Sequence, residues 1–457
     1  MYGVVITVGC GVVSFQGFLI AFVGEIFKVQ DSFGLVVNLY RDETMNLVIG
    51  ALLLNPENRL SEGAKVHGIS RLASLNLGDY IFGSILDPMG NFIFHLSFYC
   101  NKFSVSLAHR ISSPRYNIKA ISIDSMIPIG RGQRELIVGD RQTGKTSIGV
   151  DTILNQKYKK LFCVYLPIGQ KASSILQIFL ALARRNAIFY LSLLVASASS
   201  SAVCQFMCAY TAAALSEFSM FINELPSFVM YDDLSRHATA YREIYLLLRR
   251  PPGREAYPGE IFFVHSRLLE RAAKLSAALG GGSCTAFPVI ETLAGDVSAY
   301  ITTNVISITD GQIFLSIDLF LAGIKPAIDV GLSVTRVGSA AQWLGIKQVA
   351  GSYKLELAQT IELQSFSQFT ADLGKETKNR LTKGRRLVEI LKQFCGSPVN
   401  LMSQIGILSL ANQNLIIDID VTNVQVFIHL YITVPQWALL FVGVRCVGLV
   451  IIHGQIL

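Results

Sequence analysis

The sequence predicts a multidomain chain in three parts: an N-terminal all-β domain, a central α/β domain built on a parallel sheet, and a C-terminal α-helical domain. Three observations carry that prediction. Short apolar runs punctuated by Gly, Asn and Asp fill the first 68 residues; strands alternate with helical stretches from 129 to about 343; amphipathic spacing takes over from 344. With 457 residues the chain is too long for one core, and the boundaries expected are 1–68, 69–343 and 344–457.

In the first domain, Val4-Val-Ile-Thr-Val8, Gly11–Phe15, Phe33–Leu39 and Leu47–Gly50 read as strands, and small closed barrels are built from such runs. Met1–Gly24 is uncharged, so a signal peptide or anchor has to be weighed. It lacks a basic start, however, and five glycines and Gln16 interrupt it, which favours strands. An Arg-rich amphipathic presequence is also absent. From 69 to 128 the pattern is mixed, and Asn91–Arg115 has no clear periodicity.

The central domain is organised around one stretch. Glu135-Leu-Ile-Val138 is an apolar run that reads as a buried strand, and an apolar period near 3.6 begins at about Ile148. Between them, Gly139-Asp-Arg-Gln-Thr-Gly-Lys-Thr146 matches G-x-x-x-x-G-K-[ST] in the strand–loop–helix setting a phosphate loop needs. Gly139 and Gly144 allow the backbone angles that turn successive N–H groups toward a phosphate, and the helix that follows points its positive end there. Lys145 has the reach for β- and γ-phosphates, and Thr146 offers a hydroxyl to Mg²⁺. A nucleoside triphosphate is the expected ligand.

Two later strands add to this site. Lys160–Ile168 ends in Gly169-Gln-Lys171, and Ser227–Tyr231 delivers Asp232-Asp233 at its C-terminal end. A carboxylate at such a strand end is placed to hold Mg²⁺ directly or through water, a role that suits Asp232, whereas Asp233 suits a helix N-cap before Leu234. Further on, Asn304–Gly311 leads to a strand carrying Val330–Arg336.

Leu355–Phe369 and Arg380–Phe394 show helical spacing with polar faces. Val421–Val444 is uncharged and long enough to span a bilayer. On hydropathy alone, a membrane helix and a buried hairpin broken at Pro435 both stand. Hydrophobic residues make up 51% and charged ones 16%, which suggests burial in an assembly or an apolar codon bias such as organelle genomes show. A net charge of +7 is too modest at this length to be a nucleic-acid footprint. The eight cysteines form no CxxC pair, so free thiols in a reducing compartment are expected.

At this point the chain resembles the alpha-subunit family of F-type ATP synthases. The stretches that carry the resemblance are Pro128–Thr146, Tyr231–Ser235, Leu248–Gly259, His265–Lys274, Ala294–Tyr300, Val305–Leu315 and Val330–Gln342, in that order. A phosphate loop alone would name a superfamily; the ordered series names the subunit family. The resemblance implies an N-terminal β-barrel, a RecA-like P-loop domain and a C-terminal helical domain. It implies alternation with ATP synthase beta subunits in a hexameric ring around a central-stalk gamma subunit, with peripheral stalk (stator) subunits outside and only indirect contact with the membrane sector. It further implies a site that holds Mg²⁺ and ATP (or ADP) without turning it over, and a tail packed in the ring rather than spanning a membrane. The residues that match the family's nucleotide contacts are Gly139, Asp140, Arg141, Gln142, Thr143, Gly144, Lys145, Thr146, Ser147, Gln170, Asp232, Phe320, Lys325, Pro326 and Gln393, with Thr146 and Asp232 toward the metal. Arg249–Gly259 resembles the loop facing the central stalk.

Two residues give that implied role a chemical basis. In the family's catalytic relatives a Glu ends the strand after the phosphate-loop helix and positions the attacking water; here Gln170 matches it. An amide orients water but is not basic enough to take its proton. Arg336 matches the residue the family places at the neighbouring catalytic site, and an arginine finger of this kind is typically worth about 10³–10⁵ in rate.

Several positions depart from the family pattern. Lys325 replaces the usual Arg, so weaker stacking on the base is expected. Cys395 stands where a second Gln is usual, Lys171-Ala172 lacks the following Arg, Ile121-Ser122 look inserted, and residues 91–118 barely match. The first residues already read as a barrel strand, so no counterpart of the family's N-terminal helical extension, which meets the stator cap, is expected. The alternative reading is a self-sufficient hexameric motor, such as a Rho-like helicase or a secretion ATPase. It would need a Glu at Gln170 and a nucleic-acid or export surface, and neither is present. Residence at the matrix side of the mitochondrial inner membrane, or at the cytoplasmic face of a bacterial plasma membrane, follows from the resemblance and the composition.

Overall fold

The computed structural model describes residues 2–9, 11–17, 21–41, 46–54, 60–75, 77–78, 81–95, 120–157, 159–351, 353–367, 375–413 and 419–433. The expected architecture is present: an N-terminal closed six-stranded barrel, a central α/β domain and a C-terminal helical domain.

Strands β1 (Tyr2–Gly9), β2 (Val12–Gln16), β3 (Glu25–Val29), β4 (Ser32–Arg41), β5 (Leu47–Leu53) and β6 (Lys65–Leu72) close the barrel in the order β1-β2-β5-β4-β3-β6. Alternating residues turn inward, as a two-residue period requires, so Val5, Val13, Phe15, Phe27, Ile49 and Val66 form the core. Phe15 and Phe27 meet at 5.0 Å between ring centres. A Cβ at Gly34 would lie 2.1 Å from Phe27 Cζ, so glycine is what lets that ring sit inside. The last strand runs to Leu72, past residue 68, because its pairing with β3 continues to Glu25↔Leu72.

Along the central region the elements are β7 (Ser84–Leu86), β8 (Phe92–His95), α1 (Ile121–Met126), β9 (Glu135–Gly139), α2 (Lys145–Leu154), β10 (Phe162–Gln170), α3 (Ala172–Arg184), β11 (Leu191–Leu194), β12 (Ala196–Ser197) and α4 (Ala202–Phe221). There follow β13 (Pro226–Asp232), α5 (Leu234–Leu247), α6 (Ile261–Leu269), β14 (Ser283–Glu291), α7 (Tyr300–Ile308), β15 (Gly311–Leu315), α8 (Ile317–Leu321) and β16 (Ile328–Thr335). The helical region holds α9 (Leu344–Ala350), α10 (Tyr353–Ser367), α11 (Lys375–Leu391), α12 (Leu401–Asn412) and α13 (Val424–Thr433).

By compactness the chain forms two units, one of Met1–Ser106, Lys157–Glu291 and Val297–Ile308, the other of Leu107–Gln156, Thr292–Asp296 and Thr309–Leu457. The first contains the barrel and a sheet in which β14, β13, β10, β11 and β7 run parallel, with β8 antiparallel at its edge. All but the last residue of β10 is buried, the continuous apolar run expected of a strand covered on both faces. The second contains β9 flanked by parallel β15, which pairs antiparallel with β16, together with α1, α2 and the C-terminal helices.

One helix end and one short helix differ from the sequence reading. The helix expected to reach Phe394 ends at Leu391, where the Gln393 N–H turns to the Lys325 carbonyl (2.8 Å) and Gly396 takes a left-handed φ of 74°. The stretch Ile121–Met126, unassigned from sequence, is a short helix with every residue buried. Most of 91–118 and the Pro435 region lie outside the described residues. Among the described residues no helix is long and apolar enough to cross a membrane, and Cys163, Cys208 and Cys284 are buried thiols.

Candidate nucleotide-binding site

The strand–loop–helix is formed by β9, the loop 139–144 and α2. Gly139 has no room for a side chain: a Cβ there would lie 2.9 Å from the Leu315 carbonyl oxygen and from Thr143 Oγ1. Gly144 supplies the left-handed turn, with φ of 96°, that aims the first turn of α2. The Lys145 ammonium curls back and donates to the carbonyl of Gly139 at 2.6 Å and to that of Asp140. The Thr143 hydroxyl donates to the Asp140 carbonyl at 2.8 Å. The loop is thus drawn into a ring around a buried cation.

Asp140 fixes the loop rather than pointing out of it. Its Oδ1 accepts from the Thr292 hydroxyl at 2.6 Å and from the Gly295 N–H at 2.9 Å, and the Thr292 N–H donates to the Gly139 carbonyl at 3.1 Å. Arg141 and Gln142 are exposed at the loop tip; Thr146 and Ser147 are half-buried on the first turn of α2.

A cavity of about 450 Å³ lies beside α2 within the same unit. It brings together Thr143, Gly144 and Ser147 with Phe320, Lys325, Pro326 and Gln393, all anticipated from sequence. The Lys325 ammonium stands 4.7 Å from the centre of the Phe320 ring, a cation–π contact that holds that wall. Gln393 is committed to the backbone: its Oε1 accepts from the Ile121 N–H at 3.2 Å, and its Nε2 donates to the Ser397 carbonyl at 2.5 Å. An apolar wall with polar groups at its rim and a backbone cradle at one end fits a nucleotide.

Sequence reasoning missed Asp151, Asn155, Lys392 and Gln425, which also line the cavity. Ser147, Asp151 and Asn155 are four apart, so once α2 was placed, its cavity face was readable from spacing. Gln425 comes from α13, and no local pattern links it to the loop.

Gln170 and Asp232 stand together in the first unit, at the ends of the paired strands β10 and β13. The Gln170 amide donates to the Asp232 carbonyl at 3.2 Å, and the Tyr165 hydroxyl donates to Asp232 Oδ2 at 3.0 Å. Asp233 is the N-cap of α5, accepting from the Arg236 N–H at 2.8 Å. Burial pushes its carboxyl up to about 6; the bond from Arg236 opposes this, and the charge of Asp232 adds to it.

Arg336 follows β16 and is exposed; among the described residues its guanidinium is in no ion pair. Its backbone is held, with the Arg336 N–H donating to the Asp310 carbonyl at 2.8 Å. The Asp310 carboxylate in turn takes a fork from Arg134, at 3.1 and 2.8 Å. Burial alone would raise the Asp310 carboxyl, but the Arg134 hydrogen bonds, with the charges of Arg134 and Arg336, hold it below its ordinary value.

Among the described residues no group of three or more His, Cys, Asp or Glu could hold a metal ion by itself. The Thr146 hydroxyl, half-buried on the first turn of α2, is a hard oxygen donor of the kind Mg²⁺ takes.

Residues 119–335 match the family model for the ATP synthase alpha/beta family, nucleotide-binding domain, and residues 342–436 match the ATP synthase alpha/beta chain, C terminal domain. The two matches adjoin and between them span most of the chain.

Proposed function

The chain belongs to the ATP synthase alpha/beta family and is a nucleotide-binding subunit, and from that premise we propose that it is the non-catalytic, alpha-type member. It binds Mg-ATP in the α2 cavity and lends Arg336 to the adjacent catalytic beta-type site in proton-driven ATP synthesis. The observation that carries this reading is Gln170. Its neutral amide is bonded to the Asp232 carbonyl at the strand end where hydrolysis calls for a carboxylate. The amide can hold a water but cannot take up its proton. In the proposed site Lys145 would neutralise the β- and γ-phosphates, Thr146 would offer its hydroxyl to Mg²⁺, and Phe320 and Pro326 would flank the base. The metal supplies charge neutralisation between phosphate oxygens when bound.

Arg336 supports the second half. An exposed guanidinium that makes no ion pair among the described residues, on backbone pinned to Asp310, is a donor facing solvent. The reading includes a ring with beta-type partners, a central stalk and a stator, at the matrix face of the mitochondrial inner membrane or the cytoplasmic face of a bacterial one. The experiment is Arg336→Ala and Arg336→Lys in a ring assembled with catalytic partners. Cooperative multisite turnover is expected to fall by at least about 10³, with Mg-ATP binding to this chain unchanged. Normal multisite turnover in either variant would remove the proposal.

A further inference from the structure

Residues 393–398 make the turn that closes the cavity opposite the phosphate loop, and its fastenings are specific. Gln393 ties it to α1 and to Lys325, as described above, and the Ser397 N–H donates to the Phe394 carbonyl at 3.1 Å within the turn. On the other side, the Gly396 N–H donates to Asp151 Oδ1 at 2.8 Å, with Cys395 Sγ 3.9 Å from the same oxygen. Gly396 adopts φ of 74°, and the turn carries its amide proton to that carboxylate. Asp151 lies six residues beyond Lys145 on α2, about 9 Å along the helix axis. One rigid helix therefore carries the phosphate cradle at its start and an anchor for the far wall of the cavity further along.

We propose that Asp151 is a positioning residue for nucleoside recognition: through its bond to Gly396 it clamps the 393–398 turn onto the phosphate-loop helix and so sets the width of the cavity for the nucleoside. This rests on the reading of the cavity as a nucleotide site. The cradle is built by Gly139, Asp140, Thr143, Thr292 and Gly295, whose hydrogen bonds do not involve Asp151. Removing the acceptor therefore loosens the grip on base and sugar and leaves the grip on phosphates intact.

The test compares equilibrium binding of Mg-ATP and Mg-tripolyphosphate by the full chain. In Asp151→Ala, ATP is expected to bind about tenfold or more weakly, in line with loss of a charge-assisted hydrogen bond, while tripolyphosphate binds within about twofold of the parent. Asp151→Asn keeps an oxygen acceptor for the Gly396 amide and should recover ATP affinity to within about threefold. If Asp151→Ala does not fold, Asp151→Ser, too short to reach Gly396, takes its place. Equal loss of both ligands, loss of neither, or an Asn variant as weak as the Ala variant would each overturn the proposal. A parent chain that binds neither ligand would instead overturn the nucleotide reading beneath it.

Discussion

At the start of α2 the Lys145 ammonium is held by the carbonyls of the loop it follows. A buried ammonium is costly unless it has acceptors, and here the carbonyls of Gly139 and Asp140 serve. Phosphate oxygens would exchange with those carbonyls, so the lysine contributes binding without reorganising the loop. Lys145→Ala is expected to weaken Mg-ATP binding by about 100-fold, which equilibrium binding would measure. A loss below about threefold would mean that the lysine does not meet the phosphates. At this scale much was legible: the motif placed Gly139, Gly144 and Lys145, and the N-cap rule placed Asp233. Asp140 and Gln393 also make hydrogen bonds that the sequence did not foretell, Asp140 to the Thr292 hydroxyl and the Gly295 N–H, Gln393 to the backbone of Ile121 and Ser397. A sequence names the residue at such a position but not which of its neighbours takes its hydrogen bonds.

Among the elements, the α4–α5–α6 packing carries a buried histidine pair. His237 Nε2 donates to the Phe206 carbonyl (3.1 Å), which leaves its Nδ1 to accept from His265 Nε2 (3.4 Å). Both rings are neutral because burial drives His237 down to about 4 and His265 down to about 3, with the charge of His237 adding to the second. A histidine whose folded pKa lies below its unfolded value binds fewer protons folded than unfolded between the two. Its stabilisation is complete above about pH 6.5 and is lost as pH falls toward 4. The buried Asp233 and Glu135 carboxyls, both raised by burial, act in the opposite direction, so the comparison must be internal. Between pH 6.5 and 5, denaturant unfolding should show the parent losing on the order of 2 kcal/mol more stability than His237→Gln/His265→Gln. Equal slopes would contradict a neutral pair.

The barrel offers a second element-scale check. Gly34→Ala would drive a methyl into the Phe27 ring and should cost about 1–3 kcal/mol, read as a lower unfolding midpoint. An unchanged midpoint would mean that Phe27 has room to move. Strands announced themselves through alternation or unbroken apolar runs. Helix α1 did not, because six residues buried on every side show no amphipathic period. The end of α11 was misplaced by three residues, since the turn there is held in part by a distant carbonyl, that of Lys325, which no local pattern announces.

Over the whole molecule, the order barrel, α/β domain, helices was readable because each part has its own hydrophobic period. The cavity was only half readable. Its phosphate end is local in sequence, while its far wall brings 320–327, 392–398 and Gln425 to α2 across more than a hundred residues. The central claim is that such a chain holds a nucleotide and does not cleave it, because Gln170 supplies an amide where a base is required. The most direct measurement is a single-turnover experiment on the full chain alone, with γ-labelled Mg-ATP bound at its site and free phosphate followed over many minutes. The account predicts saturable binding with the label retained as ATP. Release of labelled phosphate at the rate of a catalytic site, without any partner subunit, would contradict it.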